Sequence, residues 1–236
     1  MTENPRIVSR AEWLRARKQL LEKEKAHTRD VDALAEQRRA LPWVKIDKSY
    51  QFEGRDGVRS LGDLFAGKSQ LITYHFMFGP TQDEGCKSCS MAADHLDRSA
   101  VHVPHRDVSL VAVSHAPWAK LAAFQRRMGW SFPWYSSYGS DFNFDFQATV
   151  TPEEKARGVV NYNYGEMPFR SDEQHGLSVF AKTATGDICH TYSSYGRGVE
   201  GMLGIYTYLD MVPRGRDEDQ LPWPMAWYRH HDRYES

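Results

Sequence analysis

Cys86 and Cys89, three residues apart in the segment Glu84-Gly85-Cys86-Lys87-Ser88-Cys89-Ser90, are the residues of this chain best suited to chemistry. A thiol pair at this spacing supports two kinds of chemistry. In thiol–disulfide exchange one thiolate attacks a sulfur and the second thiol resolves the mixed disulfide. In metal binding the pair supplies half of a zinc site. The pair follows the apolar, β-prone run at residues 71–78, which Gly79-Pro80 ends. It opens residues 86–98, where Met91, Ala92, His95 and Leu96 recur at helical spacing. At the start of a helix the unsatisfied N–H groups and the macrodipole favour a thiolate. Cys86 is therefore expected as the nucleophile. Cys89 lies on the same helical face within disulfide reach, as the resolving thiol. Lys87 favours the anion and Asp83 and Glu84 oppose it, which predicts a modestly lowered pKa at Cys86.

The elements that must position this pair read as α/β. Residues 71–78 fit a strand covered on both faces, and Val108-Ser109-Leu110-Val111-Ala112-Val113 fits a second. Residues 117–128 predict a second helix, with Pro117 in its first turn and Gly129 at its end. Strand, helix, strand, helix implies a right-handed unit with a parallel pair. Residues 177–181 and 188–192 flank Thr185-Gly186-Asp187 as a hairpin, and a helix is expected from about 197 to 211. The order is β-α-β-α-β-β-α over residues 68–211, interrupted by a long aromatic and polar insertion at about 130–176 in which no element is legible. Upstream, residues 43–59 read as a small hairpin with Trp43, Val44, Ile46, Tyr50 and Phe52 around Asp47-Lys48-Ser49 and a turn from Gly54 to Gly57. Residues 60–65 form a short helical connector. Residues 9–39 read as a charged helix or helix pair that begins at a Ser9/Glu12 capping box. Its apolar stripes are thin, so it is expected to dock on its own core or across a homodimer. The expected organisation is an N-terminal helical extension, 1–42, and one domain, 43–236.

Composition bounds the function. A net charge of −1 over 236 residues suggests neither nucleic acid nor an anionic membrane as partner. No apolar run reaches transmembrane length, and charges fill residues 10–39 where a secretion signal would need an apolar stretch. The chain reads as soluble and cytoplasmic. Three cysteines in a chain of this length are no disulfide scaffold. No phosphate-cradling glycine loop, nucleotide fingerprint or Ser-His-Asp set is present, so no cofactor is implied.

Several segments also carry a family resemblance. They are Tyr74-His75-Phe76-Met77-Phe78-Gly79-Pro80, the cysteine segment, and Met128-Gly129-Trp130-Ser131-Phe132-Pro133-Trp134. Ser140-Asp141-Phe142-Asn143, Leu177-Ser178-Val179-Phe180 and Trp223-Pro224-Met225-Ala226-Trp227 belong with them. Across residues 40–234 the chain resembles a bacterial family of unknown function regarded as thioredoxin-like, predicted dithiol–disulfide oxidoreductases. The resemblance implies a thioredoxin-like core and supports Cys86 and Cys89 as the redox pair. The substrate is open: a disulfide-containing protein, a peroxide or a small-molecule disulfide would each suit such a pair. Thioredoxin-like proteins usually place a cis-proline before the third core strand, facing the cysteines. Here Gln174-His175-Gly176 stands there. His175 either faces the cysteines, where an imidazolium would support a thiolate, or is a loop histidine.

Rival readings use the same residues. Zinc would take Cys86, Cys89 and His95, with no second ligand pair at suitable spacing; Cys189 and His190 are adjacent on one strand and point to opposite faces. A non-enzymatic scaffold or interaction protein with a vestigial pair is the other alternative. Cys189 is expected as a buried inert thiol and His75 as a core histidine. Asp141 and Asp145 with their aromatic neighbours either line a pocket near the cysteines or form core. His230-His231 is expected at the surface.

Overall fold

Ser9 and Glu12 form the reciprocal cap that their spacing predicts: the Ser9 hydroxyl accepts from the Glu12 N–H at 3.3 Å, and the Glu12 carboxylate accepts from the Ser9 N–H at 3.1 Å. From this cap runs one uninterrupted helix, α1 (Arg10–Arg39), not a pair. Along it Arg17 meets Glu24 at 2.7 Å and Lys25 meets Glu22 at 3.0 Å, exposed pairs of small energetic weight. The structure, a computed structural model, describes residues 5–235 and divides into two units, Met1–Pro42 and Trp43–Ser236. No helix among the described residues is long and apolar enough to cross a membrane.

The second unit opens with β1 (Val44–Lys45), then the hairpin β2 (Gln51–Gly54) and β3 (Gly57–Ser60), in which Gly57 takes φ 89° at the turn. Val44 and Lys45 do not join that hairpin, as the sequence suggested. They pair with His190 and Cys189 at the far edge of the sheet. A 3-10 turn (Asp63–Phe65) leads to β4 (Gln70–His75), α2 (Lys87–Ser99), β5 (Val108–Ser114) and α3 (Trp118–Met128). Strands β4 and β5 are parallel over six residue pairs, from Gln70 opposite Val108 to His75 opposite Val113.

The insertion is not without elements. It contains β6 (Trp134–Ser136), short helices α4 (Phe142–Asp145) and α5 (Pro152–Arg157), and the separate hairpin β7 (Val159–Tyr162) with β8 (Gly165–Pro168). These pieces are too short to carry a legible period, and β6 gains its strand character by pairing with β5. The chain then returns through the hairpin β9 (Gly176–Lys182) and β10 (Ile188–Tyr195). The helix expected from 197 to 211 breaks in two: a 3-10 segment (Gly196–Met202) and α6 (Gly204–Leu209), with Leu203 non-helical at φ −96°, ψ 63°. Gly196, Gly198, Gly201 and Gly204 weaken helix continuity here.

The main sheet has the order β1-β10-β9-β4-β5-β6-β2-β3, with β9 antiparallel to β4 and to β10. Four adjacent strands of it, β10-β9-β4-β5, with α2 and α3 following β4 and β5, make the thioredoxin-like core. Alternation along β4 divides the interior. Tyr74 joins Phe76, Phe124, Trp130 and Trp134 beneath α2 and α3, while Leu71 packs with Phe142, Phe146 and Phe180 on the other face. Helix α2 meets the first cluster through Cys89, Ala92, Ala93 and Leu96, the i, i+3, i+4, i+7 stripe of a core-facing helix. Its outer carboxylates tether the aromatic segment after α3. Asp94 accepts the Trp130 indole N–H at 2.7 Å, and Asp97 accepts the backbone N–H groups of Ser131 and Phe132 at 2.6 and 3.1 Å.

Candidate active site

Cys86 is the N-cap of α2, and its backbone is held on both sides. Its N–H donates to the Met77 carbonyl at 3.1 Å, and its own carbonyl accepts from the N–H and the hydroxyl of Ser90, each at 2.8 Å. Gly85 is required by space: a Cβ there would lie 2.6 Å from the Phe76 ring and 2.8 Å from the Phe124 ring. Both rings are buried and locked in the aromatic cluster. Gly85→Ala is expected to destabilise the protein by about 1–3 kcal/mol, the usual range for overpacking, as a drop in the thermal midpoint would show. An unchanged midpoint would mean the loop relaxes freely.

The two sulfurs lie near each other and differ in environment. Cys86 is half-buried; Cys89, one turn in, is 2% exposed. The Cys89 thiol donates to the Cys86 sulfur, and this bond lowers the Cys86 pKa to about 6 against the opposing effect of burial. The first-turn N–H groups of Cys89 and Ser88 and the Ser88 hydroxyl add to it. Burial and the neighbouring Cys86 push the Cys89 pKa well up, while the buried Tyr74 hydroxyl donates to its sulfur and moderates the rise. The environments push the two thiols apart, Cys86 towards the anion and Cys89 towards the protonated form. Tyr74 was not singled out in the sequence as a site residue. Its signal was its place on the α2 side of β4.

The opposing charges expected beside the pair are muted. Burial works to raise the Glu84 pKa, but hydrogen bonds from Arg233 and Arg127 hold it below the usual carboxylate range. The Arg127 guanidinium reaches Glu84 at 2.7 Å and Asp232 at 2.8 Å. The C-terminal segment is thereby fastened to the loop before Cys86. His230 is not at the surface as expected: it is 1% exposed, and its Nε2 lies 2.9 Å from the Gly85 carbonyl. His231 remains exposed and pairs with Asp94 at 2.7 Å. Sequence reading missed this fold-back because its ion pairs span more than a hundred residues.

A cavity of about 620 Å³ opens beside both sulfurs. Its lining includes Tyr74, Met77 and Ala92, Val199, Leu203 and Tyr206, and Pro224 and Met225. His175 does line this cavity, immediately before β9. Burial lowers its pKa, and its Nε2 bonds to the Gly196 carbonyl at 3.2 Å. Burial thus favours the neutral imidazole, which works against support of the thiolate by an imidazolium.

The other candidates lie elsewhere. His95 lines a separate cavity of about 380 Å³ with Leu96, Leu110 and Met202, so it does not converge on the sulfurs as a zinc ligand would. Among the described residues no group of three or more His, Cys, Asp or Glu side chains could hold a metal ion. Asp141 and Asp145 both bind Lys48, at 2.8 and 2.7 Å, and the aromatics of that segment join the core on the opposite face of the sheet. They line no part of the cysteine cavity. Cys189 is buried in β10. His75 is wholly buried, and its Nε2 lies 2.8 Å from the Ser178 hydroxyl, which bonds on to Ser193 and from there to His190. Burial lowers the His75 pKa to about 3 and leaves it a neutral core histidine.

Comparisons with known proteins add the following. Among solved structures the chain is similar to peroxiredoxin Q of Xanthomonas campestris, at 10% identity and a TM-score of 0.45, over 71% of this chain and 94% of that one. It is similar to peroxidoxin BcpB from Mycobacterium tuberculosis at 16% identity and 0.39, over 70% and 93%. A putative thiol:disulfide interchange protein DsbE from Chlorobium tepidum matches at 11% identity and 0.41, over 70% and 99%. No curated protein matches the chain. A family described as bacterial protein of unknown function (DUF899) matches residues 2–234, and the chain belongs to it.

Proposed function

We propose that this member of the DUF899 family is a thiol–disulfide oxidoreductase with Cys86 as nucleophile and Cys89 as resolving thiol. The observation that carries this reading is the partly buried Cys86 at the N-cap of α2, lining an open cavity, with the buried Cys89 thiol beside it and its pKa lowered to about 6. The Cys86 thiolate attacks one sulfur of a substrate disulfide, forming a mixed disulfide and releasing the other half as a thiolate, which takes up a proton. The Cys89 thiol gives up its proton and attacks the Cys86 sulfur. The second substrate thiol leaves, and the protein holds a Cys86–Cys89 disulfide. Two electrons pass from protein to substrate, and an external dithiol restores the reduced pair.

The test is stoichiometric. Reduced protein mixed with a disulfide substrate should release two thiols per chain and lose two hydrogen atoms by mass, with both cysteines then closed to alkylation. Protein that exchanges with no disulfide, or that carries a stoichiometric metal on these sulfurs, returns the scaffold or zinc reading. The protonation states make a second expectation. The alkylation rate of Cys86 should rise with pH around a midpoint near 6, where a free cysteine titrates near 8.5. Because the pKa is depressed, the reactive anion is present above that midpoint and lost as pH falls through it. Cys89→Ala removes the leading hydrogen bond and should move the midpoint upward. An unmoved midpoint would show that the helix start, and not Cys89, holds the anion. The reducing cytoplasm is the compartment we propose, since a dithiol is available there to restore the pair.

A further inference from the structure

The cavity beside Cys86 bears on substrate class, an inference that rests on the oxidoreductase reading. We propose that the substrate is a small, uncharged disulfide with an apolar body, an alkyl or aryl disulfide, bound within the cavity; a disulfide on a folded protein is not the substrate.

Size sets the first bound. A volume of about 620 Å³ suits an entire small molecule. The walls set the second: Met77, Ala92, Val199, Leu203 and Pro224 present hydrocarbon, Met77 and Met225 thioether. The charged groups at the border set the third, because most of them are already paired. Arg216 is held by Glu200 at 2.6 Å and by Asp210 at 2.7 Å, and Arg197 by Glu200 at 3.0 Å. Glu218 accepts from the Tyr206 hydroxyl at 2.9 Å, the Met225 N–H at 3.0 Å and the Trp227 indole at 2.7 Å. Between the apolar walls an ionic substrate would lose its hydration, and the cations left open, Arg197 and, in the neighbouring cleft, Lys87, stand out in water. Access points the same way. The Met225 and Trp227 bonds to Glu218 fix the C-terminal segment beside Cys86, where Trp223, Pro224 and Tyr228 line a further cleft of about 240 Å³. The sulfur thus sits between two crevices, not on a flat face that could receive a folded protein. A hydroperoxide would need donors for its departing oxygen, and the donors next to Cys86, the Cys89 thiol and the Ser88 hydroxyl, already serve its own sulfur. A disulfide releases a thiolate, which needs less help.

The reaction is that given above: one disulfide becomes two thiols as Cys86 and Cys89 become a disulfide. The test measures second-order rates of the full reduced chain with four disulfides: a neutral aryl disulfide, anionic glutathione disulfide, cationic cystamine and insulin. Each rate is divided by that of dithiothreitol on the same disulfide, which cancels intrinsic reactivity. The neutral disulfide should lead the other three by about tenfold or more, the scale of pocket discrimination. Leu203→Lys and Met225→Lys should each lower its rate about fivefold or more, by placing a charge in the wall. Alkylation of Cys86 by iodoacetamide should change less than about twofold in both, since the thiolate and its donors are untouched. Equal or faster normalised rates with insulin, glutathione disulfide or cystamine overturn the substrate class and leave the oxidoreductase standing. Faster turnover of cumene hydroperoxide than of any disulfide does the same. If no disulfide of any kind oxidises the protein, the oxidoreductase reading falls and takes this one with it. Should both lysine variants fail to fold, the four wild-type rates still decide.

Discussion

Cys86→Ser should abolish disulfide reduction, lowering the rate by at least about a hundredfold, because a serine hydroxyl is not ionised at neutral pH and is a poor nucleophile towards sulfur. Nothing else among the described residues can replace it. Cys89 is buried and its pKa is pushed well up, so it is neither accessible nor ionised. Cys189 is buried in β10 and lines no part of the cavity. Cys89→Ser should behave differently. A serine hydroxyl can still donate to the Cys86 sulfur, so attack survives while resolution is lost. The expected product is a mixed disulfide that accumulates to one equivalent per chain, visible as an added mass under non-reducing conditions. Turnover retained in Cys86→Ser, or no trapped adduct in Cys89→Ser, would reverse the assigned roles or remove them.

Phe76→Ala should produce the largest loss of stability. Phe76 is 1% exposed and sits among four rings: Trp134 at 4.7 Å between centroids, Trp130 at 6.0 Å, Tyr74 at 6.2 Å and Phe124 at 6.5 Å. Truncating a buried phenylalanine costs about 3–5 kcal/mol, from lost transfer energy and the cavity left behind. In a chain of this size that is a fall of roughly 10 °C in Tm. Phe76→Leu, which keeps most of the volume, should cost under about 1.5 kcal/mol. The ring also bounds the space at Gly85, so the alanine variant should loosen the N-cap and move the Cys86 alkylation midpoint upward. A thermal midpoint within about 2 °C of wild type would show that the aromatic cluster does not support the site.

Much of this was legible in the residues. The apolar run at 71–78, the alternation of strands and helices through Met128 and the hairpin around Gly186 are local patterns, and each fixed an element within a few residues of its observed bounds. The position of Cys86 at the first turn of its helix was legible for the same reason: a strand ending at Gly79-Pro80 and an amphipathic segment beyond it leave no other place for the helix to begin. A buried second thiol three residues on follows from helical geometry.

What tertiary structure alone decided is long-range. That Val44 and Lys45 pair with β10 instead of folding against Tyr50 depends on a partner nearly 150 residues away. The elements of the insertion are too short to declare themselves and exist through what they pair with, as β6 does with β5. Ring nitrogens at His175 and His230 read alike in the sequence. Burial at the cavity wall makes the first a neutral lining group, and the fold-back of the C-terminal segment buries the second against Gly85. Asp141 and Asp145 fell on the far face of the sheet because β4 and its neighbours divide the interior, a division that neither carboxylate encodes. The sequence by itself determined where the thiols are and which one meets a helix N-terminus, since both follow from short-range periodicity. The cavity beside them, its apolar walls and its paired charges come from segments around 175, 200 and 225 brought together only by folding, and contacts between distant segments leave no period to read.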